Sequence, residues 1–127
     1  EYHGEFFDFP PIRSFPKPAQ GPHPPIYIGG MAPKVLERIV AHADGWLPNR
    51  ITPQDLEANR KELDRLAMDA GRDPNSIGIT IYGQPADKHL IQELHDAGAE
   101  RVIVRPDWVE TDAEMCDQLE RMAEAVL

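Results

Sequence analysis

Four short apolar runs, each followed by a segment of helical periodicity, limit what this chain can fold into more than any other feature. Residues 25–28 end in Gly29-Gly30, and Val35, Leu36, Ile39, Val40 and Ala43 then recur along one helical stripe. Residues 45–48 read as a second short strand. Thr52 and Pro53 open the next helix, Leu56, Leu63, Leu66, Ala67 and Ala70 line its face, and Gly71 closes it. After a turn at residues 72–75, residues 77–82 form a strand that stops at Gly83. The helix over 87–97 turns Leu90, Ile91, Leu94 and Ala97 inward before Gly98. Val102-Ile103-Val104 mark a buried strand within residues 101–105. Thr111 with Glu114 forms a capping box, and Met115, Leu119, Met122 and Val126 stripe the last helix.

Strands apolar on both faces that alternate with amphipathic helices define an α/β chain with a parallel sheet. Strand starts near 26, 45, 77 and 101 give βα units of the size that builds an eightfold barrel. A closed barrel takes about 250 residues, whereas these 127 residues hold four units. Half a barrel with two raw edges is therefore the expected architecture of residues 25–127. Seven of the 13 prolines fall in residues 1–25, where missing donors and restricted predecessors oppose helix and central strand alike. With Tyr2, Phe6, Phe7, Phe9 and Phe15, this segment reads as an extended arm over 1–24 that packs its rings onto the body. A disordered tail is the competing reading. The chain opens Glu1-Tyr2-His3-Gly4 without an initiator methionine, which suggests a processed or excised piece of a longer polypeptide.

Composition narrows the function classes. Thirteen Lys and Arg against 22 Asp and Glu give a net charge of −9, the wrong sign for gripping nucleic acid. The lone Cys116 cannot form an internal disulfide or a cysteine-based zinc site, which suits a reducing, cytoplasmic setting. No apolar run approaches the roughly 20 residues of a membrane span.

In parallel α/β folds, ligands meet the carboxyl ends of the strands. Four patches qualify: Gly29-Gly30-Met31-Ala32, Leu47-Pro48-Asn49-Arg50, Tyr82-Gly83-Gln84 and Arg105-Pro106-Asp107-Trp108. Two glycines between a strand and a helix let the backbone approach an anion, and the helix start offers unpaired N–H groups. A tight turn needing positive φ explains the same doublet equally well. The five histidines show no metal-ligand spacing, so no metal is expected. The carboxylates Asp55, Glu57, Glu62 and Asp64 stand beside Arg60, Lys61 and Arg65, as on a solvated helix face. Trp46 and Trp108 fall near the carboxyl rim, where an indole could wall a flat cofactor or simply fill the helix–sheet interface.

Taken together, Tyr2-x-Gly4-Glu5-Phe6-Phe7, Pro16-Lys17-Pro18-x-Gln20, Pro24-Pro25-Ile26-Tyr27-Ile28-Gly29-Gly30 and Ala43-Asp44-Gly45-Trp46-Leu47-Pro48 resemble the luciferase-like monooxygenase family, and most closely its coenzyme F-420-dependent class. The resemblance implies that the four units are the C-terminal half of a TIM (β/α)8 barrel. It implies a cofactor, coenzyme F-420 or alternatively FMN, whose phosphate is held by Gly29, Gly30, Met31 and Ala32. Some relatives carry a hydroxyl residue near the position of Ala32, so here the grip would rest on backbone donors. Trp46 and Asn49 would shape the rim, and Arg50 and Arg105 would meet an anionic cofactor tail. The expected reaction is hydride transfer to or from a small organic substrate. The cofactor carries that chemistry, and no catalytic residue is assigned to this chain. A truncated, non-catalytic half-barrel acting as an interaction module is the alternative. In either case the open edges call for a homo-oligomer or a complementary N-terminal half. A small doubly wound nucleotide-binding domain fits less well, because the proline arm stands where its first strand should be.

Overall fold

Prolines dominate the first part of the chain, and the backbone there obeys them. The computed structural model describes residues 1–127. Two short strands, β1 (Tyr2–His3) and β2 (Asp8–Phe9), pair antiparallel, and the rings of Tyr2 and Phe9 stack 5.9 Å apart. Lys17 lies 5.1 Å over the ring of Phe15. The expected packing of the arm onto the body does not occur: Phe6 is 83% and Phe7 71% exposed. No backbone amide of residues 10–25 donates a hydrogen bond to the body, so nothing ties the arm to the sheet. Its rings contact their own neighbours instead.

From Tyr27 onward the four expected units appear. They are β3 (Tyr27–Gly29) and α1 (Val35–His42), β4 (Gly45–Leu47) and α2 (Pro53–Asp69), β5 (Gly78–Gln84) and α3 (Lys88–Asp96), and β6 (Arg101–Val104) and α4 (Asp112–Val126). All strand pairs are parallel, and the sheet order β3-β4-β5-β6 follows the chain order. A doubly wound sheet reverses its strand order at a switch point; this one does not reverse. Right-handed crossovers in a single direction place every helix on the same face. Thus α1 packs on β3, β4 and α2, α2 on α3, and α3 on β6 and α4.

The register separates the two faces of the sheet. Ile28, Trp46 and Ile79 stand side by side, as do Ile81 and Val102, and they face the helices. There they join Leu36 and Ile39 of α1, Leu56, Leu63 and Ala67 of α2, and Leu94 of α3 in one core. The opposite face has no helix layer. Tyr27, Tyr82 and Ile103 are exposed on it, and the Tyr27 ring lies across Gly45 and Gly78, where β-carbons would collide with it. Aromatic cover of glycines on a sheet face is a known device for holding register.

Two boundaries differ from expectation for local reasons. α1 begins at Val35, not at residue 33, because Lys34 takes a left-handed conformation with φ 65°. β5 continues past Gly83 to Gln84 through an irregularity between Tyr82 and Gln84, where the register against β6 shifts. α4 buries no residue: Met115, Met122 and Val126 are half-buried and Leu119 is exposed. No helix is long and apolar enough to cross a membrane.

Candidate functional site

The carboxyl ends of β3, β4, β5 and β6 form a rim, and the structure divides the residues singled out from the sequence between two clefts on it. The first lies behind β3. Gly29 closes the strand, Gly30 comes next at φ 94°, and a β-carbon on Gly30 would meet open space. Gly30 N donates to Leu47 O at 3.3 Å, and the indole Nε1 of Trp46 donates to Gly30 O at 2.9 Å. The loop is thereby pinned to β4 by both of its backbone groups at Gly30.

Beyond this loop, α1 starts without a cap. α2, α3 and α4 are each closed by a side chain: Thr52 accepts from Asp55 N, Asp87 from His89 N and Leu90 N, and Thr111 from Glu114 N. Lys34, at the same position before α1, supplies no side-chain acceptor. The amides of Met31, Ala32, Lys34, Leu36 and Glu37 find no acceptor in the chain. Unpaired N–H groups and the positive end of the helix dipole converge there, the arrangement that receives phosphate and carboxylate groups. Met31, Ala32 and Lys34 line a cleft of ≈ 290 Å³, and so do the carboxylates Glu37 and Glu62. Lys34 forms no salt bridge, whereas Glu62 is engaged by Arg65. Because Ala32 has no hydroxyl, every donor of this loop is main-chain apart from the Lys34 ammonium.

Trp46 is among the residues that line this cleft. It is 0% exposed, in the core between sheet and helices, and its role here is the N–H that holds Gly30. Trp108, at 92% exposed, touches neither sheet face nor core.

The second cleft lies at the ends of β4, β5 and β6. Asn49 forms a parallel bridge with Tyr82, and Arg50 N donates to Tyr82 O at 3.0 Å. Arg50 has φ 48°, a left-handed conformation uncommon for a residue with a side chain and often found near functional sites. Its Nε donates to Gly83 O at 3.2 Å. Gly83, at φ 84°, could not carry a side chain without meeting Asn49 Oδ1 at 2.8 Å. Gln84 is buried, and its Nε2 donates to Ile51 O at 2.9 Å, locking the segment after β4 onto β5. On the other side, Arg105 N donates to Gln84 O at 3.0 Å. The sequence marked Arg50 and Arg105 separately; the irregular end of β5 brings them to one cleft of ≈ 400 Å³. Gln118 of α4 also lines it, a residue that helical periodicity assigned to no role.

A parallel sheet whose strand order follows the chain, covered by helices on one face, defines a βα-barrel type of unit. The family model for luciferase-like monooxygenases matches residues 1–125, and the chain belongs to that family. An uncharacterised protein of Mycobacterium tuberculosis is 37% identical over 106 residues, 82% of this chain and 35% of its own length. The 5,10-methylenetetrahydromethanopterin reductase of Methanolobus tindarius is 40% identical over 58 residues, covering 46% of this chain and 18% of the enzyme. The solved coenzyme F420 dependent tetrahydromethanopterin reductase of Methanopyrus kandleri is similar at a TM-score of 0.43 and 28% identity, over 54% of this chain and 21% of that one. The chain thus spans about a third or less of the length of the relatives it matches.

Proposed function

We propose that this chain forms part of an oxidoreductase in which coenzyme F-420, or alternatively FMN, exchanges hydride with a small organic substrate. Its share of the site is the seat for the cofactor's phosphate. The observation that carries the reading is the uncapped start of α1 behind Gly29-Gly30, with the amides of Met31, Ala32, Lys34, Leu36 and Glu37 unpaired. Membership of the luciferase-like family and the reductase named among the relatives support it.

The residues fit such a group. Gly30 leaves space where a β-carbon would stand, and the donors around it are neutral amides and one ammonium; of the two carboxylates that line the cleft, Glu62 is paired with Arg65 and Glu37 has no ion pair. When bound, the cofactor supplies the hydride chemistry itself. The protein's part is to bind and orient: the free amides of Met31 and Ala32, beside the side-chain-free Gly29-Gly30 turn, take the phosphate, Trp46 Nε1 fixes the loop's position, and Asn49 shapes the neighbouring rim.

The bare face of the sheet supports a second element of the reading. Tyr27, Tyr82 and Ile103 are exposed there, and the outer edges of β3 and β6 are unpaired. These surfaces are covered in the working protein by further βα units or by a second copy of the chain. A non-catalytic half-barrel that serves as an interaction module would use the same surfaces, so the two readings separate at the cofactor.

The test is a fluorescence titration of the purified chain with coenzyme F-420, FMN and riboflavin. The reading expects FMN or coenzyme F-420 to bind, riboflavin to bind at least tenfold more weakly, and Gly30→Val to abolish the difference. Equal binding of riboflavin and FMN, or retention of FMN by Gly30→Val, would refute the phosphate seat. Light scattering on the same sample reads the assembly, and a monomer in solution would remove the second copy.

A further inference from the structure

The cleft at the ends of β4, β5 and β6 carries charge that the chain itself does not neutralise. In a protein of net charge −9, basic groups are readily paired, and Arg60 and Arg65 each meet carboxylates on α2. Arg50 and Arg105 form no salt bridge. They flank the irregular end of β5 from opposite sides, with Arg50 N on Tyr82 O and Arg105 N on Gln84 O, both at 3.0 Å. Only the Nε of Arg50 is engaged, by Gly83 O, which leaves both terminal nitrogens of that guanidinium and the whole of Arg105 available. Gly83 has no side chain of its own between them, and the Asn49 and Arg50 side chains lie over it.

The same cleft also carries the complementary groups. Gln118 Oε1 is buried without a hydrogen-bond partner, a costly condition that a donor from a ligand would relieve. Asp107 lines the same cleft and forms no salt bridge with either arginine. Two guanidinium groups and two acceptor side chains lining one cleft suit a ligand that carries both an oxyanion and a hydroxyl donor. Paired arginines are the usual solution for an oxyanion, because each planar fork can donate twice. A volume of ≈ 400 Å³ is that of a small-molecule site.

We propose that this cleft binds the phosphate or carboxylate of a small hydroxylated substrate, with Arg50 and Arg105 on the oxyanion and Gln118 and Asp107 on the hydroxyl. It is separate from the cofactor seat: the two clefts share no lining residue. Arg50 and Arg105 are thereby specificity residues for the substrate and not contacts to the cofactor's tail. The inference does not depend on the cofactor reading, since its test needs no cofactor.

The probes are glycerol 3-phosphate, glycerol and methyl phosphate, titrated into the full chain by calorimetry. Glycerol 3-phosphate should bind and glycerol should not. Arg105→Gln should weaken binding at least tenfold. Arg50→Gly, which removes the guanidinium while easing the left-handed backbone, should do the same. Gln118→Ala should erase the preference for glycerol 3-phosphate over methyl phosphate and leave methyl phosphate binding unchanged. Arg105 is exposed and its guanidinium has no partner in the chain, so thermal melting of Arg105→Gln should match the parent. Unaltered affinity in folded Arg105→Gln would overturn the proposal. So would displacement of glycerol 3-phosphate by FMN or coenzyme F-420, which would place it at a cofactor site.

Discussion

The indole N–H of Trp46 reaches from β4 to the carbonyl of Gly30, 2.9 Å away and 16 residues earlier in the chain. A core side chain thus sets the position of a loop that no other side chain holds. Trp46→Phe should cost roughly 2 kcal/mol, the lost hydrogen bond plus the void left by a smaller ring. Urea denaturation with an unchanged m value would measure it. Amide exchange at Gly30 and Val35, the hydrogen-bonded amides that flank the loop, should rise more than exchange in α3, and equal rises in both would show that the bond does not govern the loop.

Two glycines at positive φ separate backbone strain from steric conflict. Gly30→Ala at φ 94° meets no atoms, so its cost is the left-handed backbone alone, about 1–2 kcal/mol. Gly83→Ala adds a β-carbon against Asn49 Oδ1 at 2.8 Å and should cost more. Paired denaturation curves check the order. Reversal would mean that the Asn49 side chain yields without cost.

Burial on α2 is one-sided. Leu63 is 0% exposed and Met68 61%. Leu63→Ala should destabilise by about 2–5 kcal/mol, and Met68→Ala should stay within about 0.5 kcal/mol of the parent. Thermal or urea unfolding of the two variants side by side checks the contrast.

The capping box of α4 predicts a pH response. The Thr111 hydroxyl, followed by the Thr111 and Glu110 amides, holds the Glu114 carboxyl below its ordinary value of 4.5. A group whose pKa falls on folding adds stability above its unfolded value, and that stability is lost as pH drops through the folded one. The Thr111–Glu114 contribution should therefore be complete well above pH 4.5 and be lost progressively as pH falls from there through the lower folded value. Carbon-13 NMR titration of the Glu114 carboxyl should give a midpoint under 4.5, and Thr111→Val should raise it. On α2, Glu57 is lowered by Lys61 and Glu62 by Arg65, so both should titrate in the same direction.

The four βα units were legible because each strand is a short apolar run bounded by glycine or proline nearby, and three of the four helices carry their own N-terminal caps. Thr52 and Pro53, Asp87, and Thr111 with Glu114 act within one turn of the chain, where sequence spacing equals spatial contact. The Gly29-Gly30 patch was legible for the same reason. The second cleft was not. Arg50 and Arg105 are neighbours only because β4 and β6 both pair with β5, and the shift at Gly83 depends on a register that no local pattern encodes. Trp46 was open to two readings because an indole at a strand end suits a rim or an interface. Its alternation with Gly45 and Leu47, once the helix layer lies on one face only, decides for the interior. The arm misled because aromatic content signals contact without naming the partner; Tyr2 and Phe9 satisfy each other.

Helices on only one side leave β3 and β6 as the two free borders of the sheet. Such a unit is extendable: a further strand can dock at either border without disturbing Leu63, Ile79 or any other interior side chain. Lengthening and division of the polypeptide would then leave the internal packing untouched, which makes this four-unit block separable from its surroundings by duplication, fission or fusion.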